Sequence, residues 1–148
     1  MFIIFLLVLT LCGCSQTKED TNTIATKYYT ITLPQEWDNK CICKVTSLDS
    51  GTYLLDLYEK TAFEEMGAGK ICSVMLFPTG DKTYRDFPDY QLLAVLDTPE
   101  GSYAVIALFP TDVQFNKDTA EKYSAMYMEV MDVLYSIQPT DGVEMAMP

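Results

Sequence analysis

The sequence predicts an α+β fold of two layers: a mainly antiparallel sheet of about six strands with a long C-terminal helix packed on one face. Three observations carry this. Stretches of period-two alternation recur from Tyr28 to Phe109, the period changes to three and four beyond Asp118, and 148 residues that are 49% hydrophobic and 21% charged suffice for one core. With one hydrophobic core and no internal repeat, the expected organisation is a leader over 1–13, a polar tether over 14–27, a single domain over 28–138 and a loose tail over 139–148.

The chain opens on an uncharged apolar run of ten residues, Phe2 to Leu11, followed by Cys12, Gly13, Cys14 and the polar stretch from Ser15 onward. A membrane-spanning helix needs about 20 apolar residues, so a run of this length suits the core of a secretory signal. The sequence Leu11, Cys12, Gly13, Cys14 resembles the lipobox of bacterial lipoproteins. That resemblance implies cleavage between Gly13 and Cys14, a diacylglycerol on the Cys14 thiol and residence on the outer face of the cell membrane. Two acyl chains anchor stably where one is marginal, so the membrane is an expected partner through the lipid. Ser15 to Lys27 is polar and aperiodic, as a flexible tether would be.

Within the domain, Tyr29, Ile31 and Leu33 alternate with Tyr28, Thr30 and Thr32 until Pro34. Lys40 to Thr46 puts Cys41, Cys43 and Val45 on one side and Lys44 on the other; Asp49, Ser50 and Gly51 turn the chain into a third strand, Thr52 to Glu59. Thr61 with Glu64 reads as a capping box for a short helix that Gly67 to Gly69 end. Ile71 to Phe77 and Tyr103 to Phe109 are apolar on both sides, which predicts central strands with both faces covered. Gln91 to Leu96 pairs with the latter through the turn Thr98 to Gly101. Asp118 with Glu121 then reads as a capping box for a helix whose inner face is Tyr123, Met126, Tyr127, Val130, Leu134 and Ile137, ending before Pro139.

Composition excludes several function classes. There is no His, which removes His-based triads, His-ligated zinc and His pH switches. The 21 acidic against 10 basic residues give a net charge of −11, which repels a phosphate backbone, so nucleic acid is not an expected partner. No Gly-x-Ser-x-Gly, Ser-x-x-Lys or phosphate loop occurs.

Three cysteines follow the lipobox. Cys41, Cys43 and Cys72 could be small buried hydrophobes, could include a disulfide, or could form a soft-metal or redox site suited to copper(I) or zinc. Cys41 and Cys43 have Cα atoms about 6.6 Å apart if the strand is extended, near the limit of disulfide reach, so a bond between them is not expected. Asp81, Asp86 and Asp89 cluster beside Tyr84 and Arg85 and read as solvated loop charge; Met145 and Met147 form a lone Met-x-Met. Among 18 aromatics, Trp37, Tyr28, Tyr58 and Tyr84 are the candidates for a surface that binds a protein, peptide or glycan. The leading expectation is a binding or accessory domain without catalysis and without a cofactor other than the lipid; the alternative is the thiol site.

Two further stretches carry resemblances. Thr30 to Trp37 (TITLPQEW) is similar to the opening strand of PsbP-like domains, and Tyr103 to Phe115 (YAVIALFPTDVQF) resembles a segment of small lipobox-bearing lipoproteins of Firmicutes. With the helix that follows, the second resemblance would cover about Tyr28 to Ile137. It implies an antiparallel sheet, a C-terminal helix and the outer face of the membrane, and it implies no activity.

Overall fold

The computed structural model describes residues 22–50 and 52–148. The expected leader with Gly13, the expected lipid-bearing Cys14 and the expected tether up to residue 21 lie outside the described residues, as does Gly51. The elements run β1 (Thr23–Ala25), β2 (Tyr29–Thr32), a 3-10 turn (Gln35–Trp37), β3 (Cys41–Ser47), β4 (Tyr53–Glu59), α1 (Lys60–Met66) and β5 (Lys70–Pro78). After a second 3-10 turn (Thr83–Asp86) come β6 (Tyr90–Thr98), β7 (Gly101–Leu108), α2 (Ala120–Tyr135), β8 (Gln138–Pro139) and β9 (Glu144–Ala146). All pairings are antiparallel, and they form two sheets: β3-β4-β5-β7-β6-β9 and β1-β2-β8. The molecule is α+β, with α2 packed against β4 and β5 of the large sheet and β2 of the small one.

The two strands that are apolar on both sides are the central pair. β5 and β7 lie next to each other, and both their faces are covered. On one face Leu55, Leu57, Ile71, Cys72, Val74, Val105 and Ala107 meet Met126, Val130, Val133 and Leu134 of α2. On the other, Phe77, Ala104 and Ile106 are roofed by Tyr84. Fully burying one Leu or Ile contributes about 1.5–3 kcal/mol, so the α2 face alone is a major source of stability.

Several expectations need correction. The expected first strand, Tyr28 to Leu33, forms as the shorter β2 and lies at the centre of the small sheet instead of in the large one; the sixth place in the large sheet is taken by β9. Thr23–Ala25, expected in the tether, is a strand paired with β2, and the expected tail supplies Pro139 of β8 and the whole of β9. These short segments have too few residues to show alternation, and their pairing is set by neighbours distant in sequence. Thr61 does not cap α1. Glu59 does, its carboxylate accepting from the Thr61 and Ala62 amides at 3.0 and 2.6 Å. Gly67 closes that helix in the left-handed region, as its position predicts.

Gly69 has a different reason to be glycine. Its φ is +85°, and a Cβ there would lie 2.7 Å from the Glu59 carbonyl oxygen and 2.9 Å from the Ala62 Cβ. Asp118 and Glu121 do not form the box before α2 either. Asn116 Oδ1 accepts from the amides of Asp118 and Thr119 at 2.9 and 3.0 Å, and Thr119 is the N-cap residue. Of the expected inner face, Tyr127 is exposed and Val133 replaces it; Ile137 is buried but follows the helix. The far end of α2 is tied to β2, because Ser136 Oγ accepts from the Thr32 amide and donates to the Thr32 or Val133 carbonyl.

Candidate functional site

The four aromatics singled out from the sequence do not form a ligand surface. Tyr28, Trp37 and Tyr84 are 3%, 2% and 4% exposed. Tyr28 stacks on Tyr103 with ring centroids 5.8 Å apart, and Tyr84 packs edge-on between Phe77 and Tyr90. Tyr58 is half-buried on the opposite face of the large sheet, 4.8 Å from the Phe63 ring and flanked by the ammonium groups of Lys44 and Lys70. Each of the three tyrosines packs against another aromatic ring, and only Tyr58 lies on a strand, so these rings serve packing from turns and strand alike.

Trp37 nevertheless contributes to a cleft. The 3-10 turn that follows Pro34 presses its indole inward, where Nε1–H donates to Glu129 Oε2 at 2.8 Å. That bond joins residues 92 positions apart and sets the first turn against the middle of α2. Between that turn, α1 and α2 lies a cleft of about 480 Å³. Its floor is the buried Trp37, Met126 and Glu59; its exposed lining carries Glu36, Glu121 and Glu129 with Lys40 and Lys122. Four carboxylates against two ammonium groups make the cleft acidic. Two of the four already have partners: Glu59 holds the α1 amides, and Glu129 holds the indole. Lys122 Nζ donates to Thr61 Oγ1 at 3.3 Å. Nothing in the sequence spacing marks this site, because its walls come from three segments that meet only after folding.

The thiols are placed by β3, the edge strand of the large sheet. Cys41 and Cys43 project to the core-facing side, opposite Glu59 and Leu57, and their Sγ atoms are 3.7 Å apart. A smaller cleft of about 200 Å³ runs beside them, between β3 and the segments bearing Ile24, Leu33, Trp37 and Asp38. Cys72 does not join the pair. It faces Leu57 from the next strand and is fully buried, so Leu57 stands between it and Cys43. The three-sulfur site considered from the sequence is therefore corrected to a pair plus an isolated core thiol. All three are free of disulfides, and among the described residues no three acidic or sulfur groups gather as a metal cluster.

The two members of the pair differ electrostatically. The hydrogen bond between them favours the Cys43 thiolate and lowers its pKa against the opposing effect of burial, whereas the same bond and burial push Cys41 up. Burial also pushes the Cys72 thiol up. Lys44 points away, its ammonium 4.0 Å from the Phe63 ring centroid on the other face, so it does not assist the pair.

The acidic loop is local architecture. Asp81 Oδ1 accepts from the Thr83 amide and hydroxyl at 2.9 and 2.7 Å, which lowers its pKa and shapes the 3-10 turn that positions Tyr84. Met145 is half-buried against the core from β9, and Met147 is exposed beyond the strand. No described helix is long and apolar enough to cross a membrane.

Comparison with family models, curated proteins and solved structures finds no match to this chain. The chemistry of the two clefts therefore carries the functional argument. The larger brings the carboxylates of Glu36, Glu121 and Glu129, the ammonium groups of Lys40 and Lys122 and the Thr61 hydroxyl around one opening. The smaller presents two adjacent sulfurs.

Proposed function

We propose that this chain is a lipid-anchored binding domain on the outer face of a bacterial cell membrane, without catalytic activity, and that its ligand is a basic, partly apolar peptide. The observation that carries the ligand class is the cleft in which the floor of Trp37 and Met126 adjoins the carboxylates of Glu36, Glu121 and Glu129. Trp37 and Met126 are already buried and hold the cleft in shape, so an extended basic peptide gains charge complementarity at the rim and apolar contact with the exposed Ala125 and the aliphatic stems of the lining side chains. The net charge of −11 adds long-range attraction for the same class of ligand. The anchor rests on the lipobox resemblance, with diacylglycerol on Cys14 and cleavage after Gly13. The absence of His and the structural employment of Glu59 and Glu129 favour binding over acid–base chemistry.

The test is binding of the full chain, held in detergent, to short peptides of Lys or Arg with interspersed aromatics, set against acidic peptides of the same length. Basic peptides are expected to bind, with affinity falling as salt rises, and Glu36→Lys with Glu121→Lys is expected to weaken binding about tenfold or more. Equal binding of acidic peptides, or affinity unchanged in the double variant, would overturn the ligand assignment. Incorporation of labelled palmitate by the expressing bacterium, lost in Cys14→Ser, tests the anchor separately.

A further inference from the structure

We propose that Cys41 and Cys43 form a two-thiolate site for a thiophilic metal cation of the zinc(II) class, with its remaining coordination positions open to the adjacent cleft. The distance is the first argument. Tetrahedral thiolate coordination with metal–sulfur bonds of about 2.3 Å sets neighbouring sulfurs roughly 3.75 Å apart, and the two Sγ atoms already stand at 3.7 Å. A cation can therefore be accepted without moving the strand.

The backbone makes the second argument. Cys41, Ile42 and Cys43 each remain in register with β4, opposite Glu59, Tyr58 and Leu57. Joining the sulfurs covalently requires them to close to about 2.05 Å, which a strand held flat by its ladder resists. Metal bridging is the reaction that this pair can undergo in place. Binding to the dithiol takes up one divalent cation and releases two protons to solvent, and binding to the pair with Cys43 already ionised releases the one proton held by Cys41.

Access is the third. Cys43 is exposed, Cys41 is half-buried, and both line the cleft of about 200 Å³ between β3 and the opposing segment of Ile24, Leu33 and Asp38. No third acidic or sulfur ligand among the described residues completes the set, so water or a donor from another molecule fills it. A closed structural zinc site has four protein ligands; a pair with open positions is suited to taking up and passing on a cation.

The experiment uses the full chain in detergent with Cys12→Ser and Cys14→Ser, which leaves only the three thiols of the domain. Cadmium(II) is the probe, read by its ultraviolet sulfur-to-metal charge-transfer band, with zinc(II) as competitor. One cadmium per chain is expected, displaced by zinc, with the band lost in Cys41→Ser and in Cys43→Ser and retained in Cys72→Ala. Circular dichroism of each variant shows that the fold persists. No band in the reduced chain, or a band that survives Cys43→Ser or vanishes in Cys72→Ala, overturns the site. This test is independent of peptide binding, so either reading can fail while the other stands.

Discussion

Tyr29 is fully buried at the centre of the small sheet, and its hydroxyl is the one buried side-chain polar atom among the described residues without a hydrogen-bond partner. Burial pushes its pKa far up, so the hydroxyl stays neutral and unpaired. Leaving such a group unpaired costs about 1–3 kcal/mol. Tyr29→Phe removes the oxygen and keeps the ring, and it is expected to hold or raise stability, by up to about 1 kcal/mol or a few degrees in Tm. A fall in Tm would reveal a partner for that hydroxyl. The thiols differ residue by residue in the same way. Because the thiolate is the reactive form and the Cys43 pKa is lowered, alkylation of Cys43 is expected to become fast at a lower pH than that of a free thiol, about 8.5. Cys41, pushed up, should lag behind, and Cys72 should react only on unfolding. Peptide mapping after timed alkylation between pH 6 and 9 checks the order, and equal rates at Cys41 and Cys43 would contradict it.

At the scale of the element, α1 shows how a cap can be misread from spacing alone. Thr61 and Glu64 have the spacing of a capping box, yet the helix is capped two residues earlier and Glu59, 1% exposed at the end of β4, supplies the oxygens. Glu59→Ala leaves two amides without their acceptor and is expected to cost about 2 kcal/mol or more, while Thr61→Ala is expected to cost under about 0.5 kcal/mol. Chemical denaturation of the two variants distinguishes them, and a larger loss in Thr61→Ala would restore the spacing-based cap. What was legible follows from length and pattern. β5 and β7 have eight or nine residues, apolar on both sides, and this marks the centre of a sheet wherever it occurs. The inner face of α2 likewise shows in Tyr123, Met126, Val130 and Leu134. β1, β8 and β9 have two or three residues each, and what makes them strands is a partner: Ile24 opposite Ile31, Pro139 opposite Tyr29, Met145 opposite Leu96. The cleft was hidden for the same reason, since Trp37 and Glu129 gain their relation only from the packing of α2. The thiol pair lay between these cases. Alternation put both sulfurs on one face, and only the side-chain rotamers bring them to 3.7 Å.

For the molecule as a whole, charge is the dominant unbalanced term. The chain carries 21 acidic and 10 basic residues, and the described residues include three ion pairs, Lys27–Glu100, Lys60–Glu64 and Lys70–Asp56. The first two are exposed on both sides and fall in the class worth about 0–1 kcal/mol. Eleven uncompensated negative charges repel across the whole surface, and this repulsion favours the expanded chain. Salt weakens both effects, but the repulsion sums over many more pairs. Raising sodium chloride from about 0.01 to 0.5 M shortens the Debye length from about 30 Å to under 8 Å, so Tm is expected to rise with salt. Chloride is the right anion for this measurement, because sulfate strengthens apolar burial by another route. A Tm that falls with salt would mean that the few pairs outweigh the excess. The same repulsion guards the edge at β3, where among the described residues Cys41–Ser47 pairs with a strand on one side only and Val45 is 45% exposed. Two copies meeting there bring two net charges of −11 together. A basic peptide approaching the cleft, or a cation approaching Cys43, meets the opposite sign, so the imbalance that costs stability selects against self-pairing and in favour of both proposed ligands.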